Sequence, residues 1–391
     1  MRRHITVIAL AGSALIATSA SASPLGRALD YLSARQDSLT GMIGPAGPGQ
    51  AADTAWVAMA AAAAGEQPVD WHGAGLTLND AVGSLPADTI GDLLRLALAR
   101  KASGSRDPDM ADAVMAQRSA DGGFGTSQLT SWGILAYIAA AAPPTDVRVI
   151  TAVAALRGLQ LADGGWGVGG ATQSDAVSTA TAIQGLRAAG IPAADPALVA
   201  ARGRLLAFRD RGGTFGRAAV PTAWAALAIR SLGERPDKGA WPLEGNALGA
   251  LVGLQQPDGG VRASARQPAS IFSTAVAAMA LGGRALPVAA GRIIAPVRAP
   301  RIVRRAPANG DVVRGVLSVQ YTDEAGGTGI DPRQTRVTVN GVDYTSRTRI
   351  TPYTLQIRAA ALPRGTLNLR IRVRDRAGHA TTAVWSVVGA G

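Results

Sequence analysis

Three tryptophans and a few acids are the residues of this 391-residue chain whose types and spacing could do chemistry. Trp56 follows Thr54-Ala55, Trp132 follows Thr130-Ser131 and Trp224 follows Thr222-Ala223, so one short frame recurs in alanine-rich surroundings. Aligned on that frame, the intervening segments carry Ile90, Thr181 and Val276, and an indole alternates with a smaller side chain. If these segments line a shared interior, the indoles converge on an apolar wall suited to a terpenoid, a lipid or a ring-stacked sugar. Trp56, Trp132, Trp224, Thr54 and Thr181 are therefore the candidate ligand-binding residues, against the plainer reading that the rings are core. Asp53 and Asp175 stand at expected helix starts, where capping is the ordinary use of a carboxylate. They are the candidates for an acid role, and no residue is assigned as catalytic. Asp107-Pro-Asp109-Met-Ala-Asp112 gathers three acids at a proline-broken helix start, where capping again explains them.

Other chemistries are excluded by composition. The chain has no cysteine, which removes disulfides, thiolate metal ligands, a cysteine nucleophile and a thioester together. Its histidines are His4, His72 and His379, too few and too scattered for a zinc site, and no metal or cofactor is expected. Asp323, Asp331 and Asp375 are calcium candidates for which turn formation is the competing use. The formal charge of +12 is uneven: residues 1–290 hold 23 Lys+Arg against 21 Asp+Glu, whereas residues 291–391 hold 16 Arg against 6 acids. An arginine excess confined to the C-terminal part favours an anionic cell-envelope surface as partner, and no nucleic acid is expected.

Residues 1–22 read as a secretory signal peptide. A charged start, an apolar run from Ile5 to Ala17 and small residues before Ser23 place cleavage near Ala22-Ser23. No later stretch reaches the roughly 20 apolar residues of a spanning helix, so a secreted protein without a transmembrane segment is expected. A glycine phrase then recurs as Asp121-Gly-Gly-Phe-Gly125, Asp163-Gly-Gly-Trp-Gly167, Gly212-Gly-Thr-Phe-Gly216 and Asp258-Gly-Gly260. A worn copy runs from Gln36-Asp37 to Gly41-Met-Ile-Gly44, and residues 70–104 fill the gap between it and the next. Six units of about 45 residues each follow, a length that suits a helical hairpin. First helices are expected at 152–160 and 247–255, and second helices at 53–64, 129–142, 175–189, 221–232 and 270–281. Gly65, Gly190, Gly233 and Gly282 are expected to stop helices in left-handed caps. With no polar end repeat visible, the hairpins should close into a ring. Residues 291–300 form a proline-punctuated linker, after which the apolar period switches to two. Strands are expected at 312–321, 336–340, 353–358 and 367–374, making a β-sandwich over 301–391.

The phrase Gln160-Leu-Ala-Asp163-Gly-Gly-Trp166-Gly167 resembles the QW repeat of the terpenoid cyclase and protein prenyltransferase superfamily. The resemblance covers residues 24–290 and implies an all-α (α/α)6 toroid in which the phrase ties one helix end to the next. The family's class II cyclases protonate an alkene with an acidic motif whose nearest counterpart here is Ala51-Ala52-Asp53-Thr54-Ala55, with Ala52 where the donor aspartate is expected. The prenyltransferase zinc ligands, an aspartate, a cysteine and a histidine, cannot be assembled. The tail is similar to bacterial immunoglobulin-like modules through Asp323–Asp331, Val337-Thr-Val-Asn-Gly341 and Arg372-Val-Arg-Asp375-Arg-Ala-Gly-His379. The expected whole is a multidomain chain: signal peptide, toroid over 23–290, linker, and a small all-β immunoglobulin-like sandwich. Its expected role is non-catalytic, binding an apolar or glycan ligand or serving as an envelope-associated scaffold. The alternatives are a terpene cyclase-like enzyme using a non-standard acid, and a glycan-processing toroid, which needs two carboxylates facing one another.

Overall fold

The computed structural model describes residues 23–71, 76–104, 109–169, 171–290, 299–323, 329–376 and 378–390. Residues 1–22, read above as a signal peptide, lie outside the described residues, as do His72, Asp107 and most of the stretch expected as a linker.

Among the described residues the helices come in alternating pairs. The inner members are α2 (Gln50–Ala63), α4 (Ile90–Ala102), α6 (Ser127–Ala139), α8 (Ala176–Ala188), α10 (Ala219–Ser231) and α12 (Ile271–Gly282). The outer members are α1 (Pro24–Ser33), α3 (Leu78–Gly83), α5 (Met110–Met115), α7 (Val147–Gly158), α9 (Pro196–Ala207) and α11 (Ala247–Gly253). Inner helices are buried nearly all round: Thr54 to Ala63 is an unbroken buried run, which an alanine-rich sequence can satisfy on every face. Each inner helix packs on the next, and α12 returns to α2. Outer helices lean on the inner helix before them, α3 on α2, α7 on α6, α9 on α8 and α11 on α10; α1, the first helix among the described residues, leans on α12. That last contact closes the circle.

The glycine phrase is the joint, and its working parts repeat. Gly164 sits at φ 84° and Gly259 at φ 92°, and the aspartate before each doublet takes the N–H of the second glycine, as in Asp163 to Gly165 at 3.0 Å and Asp258 to Gly260 at 3.0 Å. The residue after the turn then donates its backbone N–H to a threonine of the following inner helix: Ile43 to Thr54, Phe124 to Thr130, Trp166 to Thr179 and Phe215 to Thr222 at 3.0 Å, and Val261 to Thr274 at 2.9 Å. The glutamine spans two units. Gln36 donates to Gly41 O and Trp71 O, Gln160 to Gly164 O and Ala197 O, and Gln255 to Gly259 O and Pro24 O. The last of these joins the final unit to the first. A Cβ on Gly259 would fall 2.0 Å from Arg27 O, so this seam admits only glycine.

Because Thr179 is fully buried and its hydroxyl both accepts from Trp166 N and donates to Trp166 O, Thr179→Val leaves a buried N–H without a partner. The expected cost is about 1–3 kcal/mol, read as a lowered urea midpoint with unchanged far-ultraviolet dichroism.

Several helix ends differ from expectation, α7 starting five residues before 152 and α6 ending three before 142 among them. Gly65, Gly190 and Gly233 take positive φ as expected, but α12 runs through Gly282 and Gly283 takes the left-handed position at φ 79°. Helix α2 begins at Gln50, which puts Asp53 inside its first turn rather than at its cap.

The C-terminal part forms two sheets around a separate apolar core. Strands β1 (Arg301–Ala306), β3 (Val316–Thr322), β7 (Thr354–Arg358) and β6 (Arg349–Ile350) form one sheet in the order β1-β3-β7-β6. Strands β2 (Val312–Val313), β9 (Ala380–Gly389), β8 (Gly365–Arg374), β4 (Arg336–Val339) and β5 (Val342–Asp343) form the other in the order β2-β9-β8-β4-β5. The expected single strand over 312–321 is broken at Gly315, φ 83°, which sends β2 and β3 to different sheets.

The two parts meet through buried charge. Arg376 of the β part pairs with Asp70, the Tyr353 side chain faces Glu66, and the Arg349 charge faces Asp30. A cavity of about 240 Å³ lies on this seam, lined by Asp30, Glu66, Tyr321 and Tyr353 among others.

Candidate functional site

The three indoles meet at the ring centre. Trp56 lies 5.4 Å from Trp132 and 5.8 Å from Trp224 between ring centroids, both edge-on, and Trp132 lies 6.3 Å from Trp224. Phe272 of α12 joins them at 5.4 Å from Trp56. These spacings fall within the range of favourable aromatic contact. Each tryptophan stands about one and a half turns from its helix start, so their meeting puts the N-termini of α2, α6 and α10 at one end of the ring. The rings are 4%, 8% and 1% exposed for Trp56, Trp132 and Trp224, so they fill the space between the inner helices.

One alignment changes. Helix α4 begins at Ile90, which places Arg95, not Ile90, level with the indoles. Its guanidinium carbon sits 5.7 Å from the Trp56 ring centroid and its NH1 bonds Asp92 at 2.8 Å. The sequence reading missed Arg95 because the unit holding it lacks the glycine phrase that fixes the frame in its neighbours. The helix cap at Thr89, a capping box with Asp92, is the signal that locates it.

The candidate threonines are committed elsewhere. Thr54 accepts from Ile43 N and donates to Gln50 O at 2.7 Å, and Thr181 donates to Ser178 O at 3.0 Å; both are fully buried. Asp175 caps α8, its Oδ1 accepting from Ser178 N at 2.8 Å, while Oδ2 is buried without a partner among the described residues. Asp53 is half-buried; burial lifts its carboxyl above the ordinary range and the Arg95 charge opposes the lift. Trp132 Nε1 and Arg95 Nε are also buried donors without partners among the described residues. Around the packed aromatic plug the chain thus places one raised acid, Asp53, and one guanidinium, Arg95, whose Nε is unspent, as is Nε1 of Trp132 in the plug itself.

The calcium candidates close turns. Asp331 Oδ1 accepts from Arg333 N at 2.9 Å and Oδ2 from Gln334 Nε2 at 2.6 Å. Asp375, fully buried, accepts from His379 N at 2.8 Å and faces His379 Nδ1 at 3.1 Å. Asp323 Oδ2 accepts from Gly329 N at 2.7 Å. Among the described residues no three such side chains gather as a metal site, and no helix is long and apolar enough to cross a membrane.

The fold is thus a ring of helical hairpins joined to a two-sheet β part. No protein-family model matches the chain, and no curated protein matches it. Solved structures do. One is ent-copalyl diphosphate synthase from Streptomyces platensis, at 20% identity over 62% of this chain and 52% of that one, TM-score 0.44; the chain spans about half of that enzyme's length. A second is a variant of the type II terpene cyclase MstE from Scytonema in complex with merosterolic acid A, at 19% identity over 66% of this chain and 95% of that one, TM-score 0.43. A third is CopC from Methylosinus trichosporium OB3b, at 17% identity over 23% of this chain and 91% of that one, TM-score 0.19.

Proposed function

We propose that this chain is a secreted, non-catalytic protein of the terpenoid-cyclase-like toroid type. Its helical ring is a rigid platform, and its immunoglobulin-like β part tethers it electrostatically to an anionic cell envelope. The observation that carries the non-catalytic half is the contact of Trp56 with Trp132, Trp224 and Phe272 at 5.4–5.8 Å, which occupies the room a polyene substrate would need to fold. A cyclase also needs a strong acid aimed into an open cavity. Asp53 is the candidate acid, and burial moves its carboxyl towards weaker acidity. The tethering half rests on the 16 arginines against 6 acids of residues 291–391.

Incubated with geranylgeranyl diphosphate or squalene, the protein is expected to return the substrate unchanged, and Asp53→Asn to make no difference. Cyclised product that disappears in Asp53→Asn would establish the enzyme reading instead. On isolated bacterial envelopes the chain is expected to be retained at low salt and released as salt rises, since screening shortens the reach of exposed charge. Retention unaffected by salt overturns the tether.

A further inference from the structure

We propose that the cleft between β1 and β9 is a binding groove for an extended acidic glycan carrying carboxylate or phosphate groups. The cleft encloses about 1250 Å³, and its lining includes Arg301, Arg304, Arg305, Thr382 and Trp385. It exists because the two sheets part along this edge and because β1 carries a bulge. Ile302 pairs with Tyr321, yet Arg304 pairs with Gln320, so Val303 is an extra residue on the β1 side. A bulge re-aims the side chains that follow it. Here it turns Arg305 onto the register of buried Val319, and its guanidinium reaches across the open edge to lie 5.5 Å from the Trp385 ring centroid.

The charge of this edge is unbalanced. None of Arg301, Arg304 and Arg305 takes part in an ion pair among the described residues, and the one carboxylate on the lining, Asp323, accepts a hydrogen bond from Gly329 N. The positive field continues onto the adjoining sheet. Arg372 pairs across strands with Thr382 of the groove wall on one side and with Arg336 on the other. Like charges set directly opposite in a sheet are unfavourable, so the Arg336 and Arg372 pair on β4 and β8 leaves the sheet beside the cleft positively charged as well.

Shape and surface chemistry choose among polyanions. Arg301 to Arg305 spans about 13 Å of extended strand, which fits a chain and not a single small anion. The wall is concave, whereas a membrane plane is met by a flat or convex face. Trp385 is 5% exposed, so it offers no open ring for base stacking, and its Nε1 is a buried donor without a partner among the described residues at the floor of the cleft. Thr382 adds an exposed hydroxyl for sugar hydroxyls.

This proposal rests on the tethering reading above. Envelope retention tests that reading, whereas purified oligomers with groove variants test the groove, so the two fail separately. The probes are polygalacturonate oligomers, neutral dextran oligomers of equal length, double-stranded DNA and phosphatidylglycerol vesicles, titrated against the full chain by calorimetry at two salt concentrations. Polygalacturonate is expected to bind in a salt-dependent way and dextran not to bind. The triple variant Arg301→Gln/Arg304→Gln/Arg305→Gln is expected to weaken binding at least tenfold and flatten the salt dependence, and the single change Arg304→Glu to weaken it too. Arg211→Gln/Arg266→Gln, two exposed sites on the helical ring, should change nothing. Unaltered binding by the triple variant, equal binding of dextran, or tighter capture of DNA or vesicles than of polygalacturonate would overturn the groove.

Discussion

Trp56→Ala is expected to lower the unfolding free energy by about 3–5 kcal/mol and to convert the packed ring centre into a cavity that admits small aromatic molecules. Trp56 is the hub of the cluster: it touches Trp132, Trp224 and Phe272 and lies under the Arg95 guanidinium. Removing it takes away its own burial and strips three neighbours of a contact face. The surrounding helices are held by the glycine turns and cannot collapse inward to compensate. An apolar cavity of that kind stays dry and binds aromatic solutes, so added indole should recover part of the lost stability in Trp56→Ala and none in the parent. Urea unfolding with and without indole measures both. A cost below about 1 kcal/mol would mean that the indoles wall an existing pocket instead of filling the ring. In that case the binding reading of Trp56, Trp132 and Trp224 regains its footing.

The ring was legible in the sequence because its joint depends on glycine. A positive φ and a backbone approach such as that of Gly259 to Arg27 O leave one residue type available, so the joint shows as a repeated letter. The threonine clamp was also in plain sight, as the first residue of each Thr-x-Trp frame. Of the clamp threonines only Thr54 stands among the candidate ligand contacts, because sequence shows that a hydroxyl recurs but not which N–H it meets. The expectation that Ile90 stands level with the indoles fails for a related reason. The second unit has no glycine phrase, so its frame had to be interpolated, and the helix start at Thr89 moves Arg95 into that position. In the β part β8 falls on an expected strand, whereas β9 and β1 have no counterpart among the expected strands. β1 differs from the others in its sequence. Its bulge and its exposed arginines hide the period of two, and these same features make the groove. Nothing local marked Asp30, Glu66 and Asp70 as a group, since their partners lie some three hundred residues away in the chain, as Arg376 does for Asp70.

That seam carries the last large effect. Asp70 and Arg376 side chains are 7% and 15% exposed, so Arg376→Ala leaves a carboxyl buried without its counter-charge. Breaking one side of such a pair costs about 3–5 kcal/mol, and here the cost should depend on pH. Burial pushes Asp70 up to about 7 against the pull of Arg376, and Asp30 up to about 6 against that of Arg349. Burial also raises Glu66 well above its usual range, although Trp71 donates its indole N–H to it. Each of these acids holds its proton in the docked protein to a higher pH than it would in water. The docked form therefore binds more protons between about pH 4 and 7, and docking is strongest below that window and weakens as pH rises through it. The acids held below their ordinary range, Asp146 at about 2 and Asp163 and Glu234 among them, act in the opposite sense but only at lower pH, so they do not mask the effect. Urea unfolding of the full chain should accordingly give a higher midpoint at pH 5 than at pH 8. Glu66→Gln, which carries a neutral group of the same shape, should narrow that gap. Arg376→Ala should be milder at pH 5, where Asp70 is already protonated, and severe at pH 8. An equal penalty at both values would show that Asp70 is not the group through which the seam responds to acid.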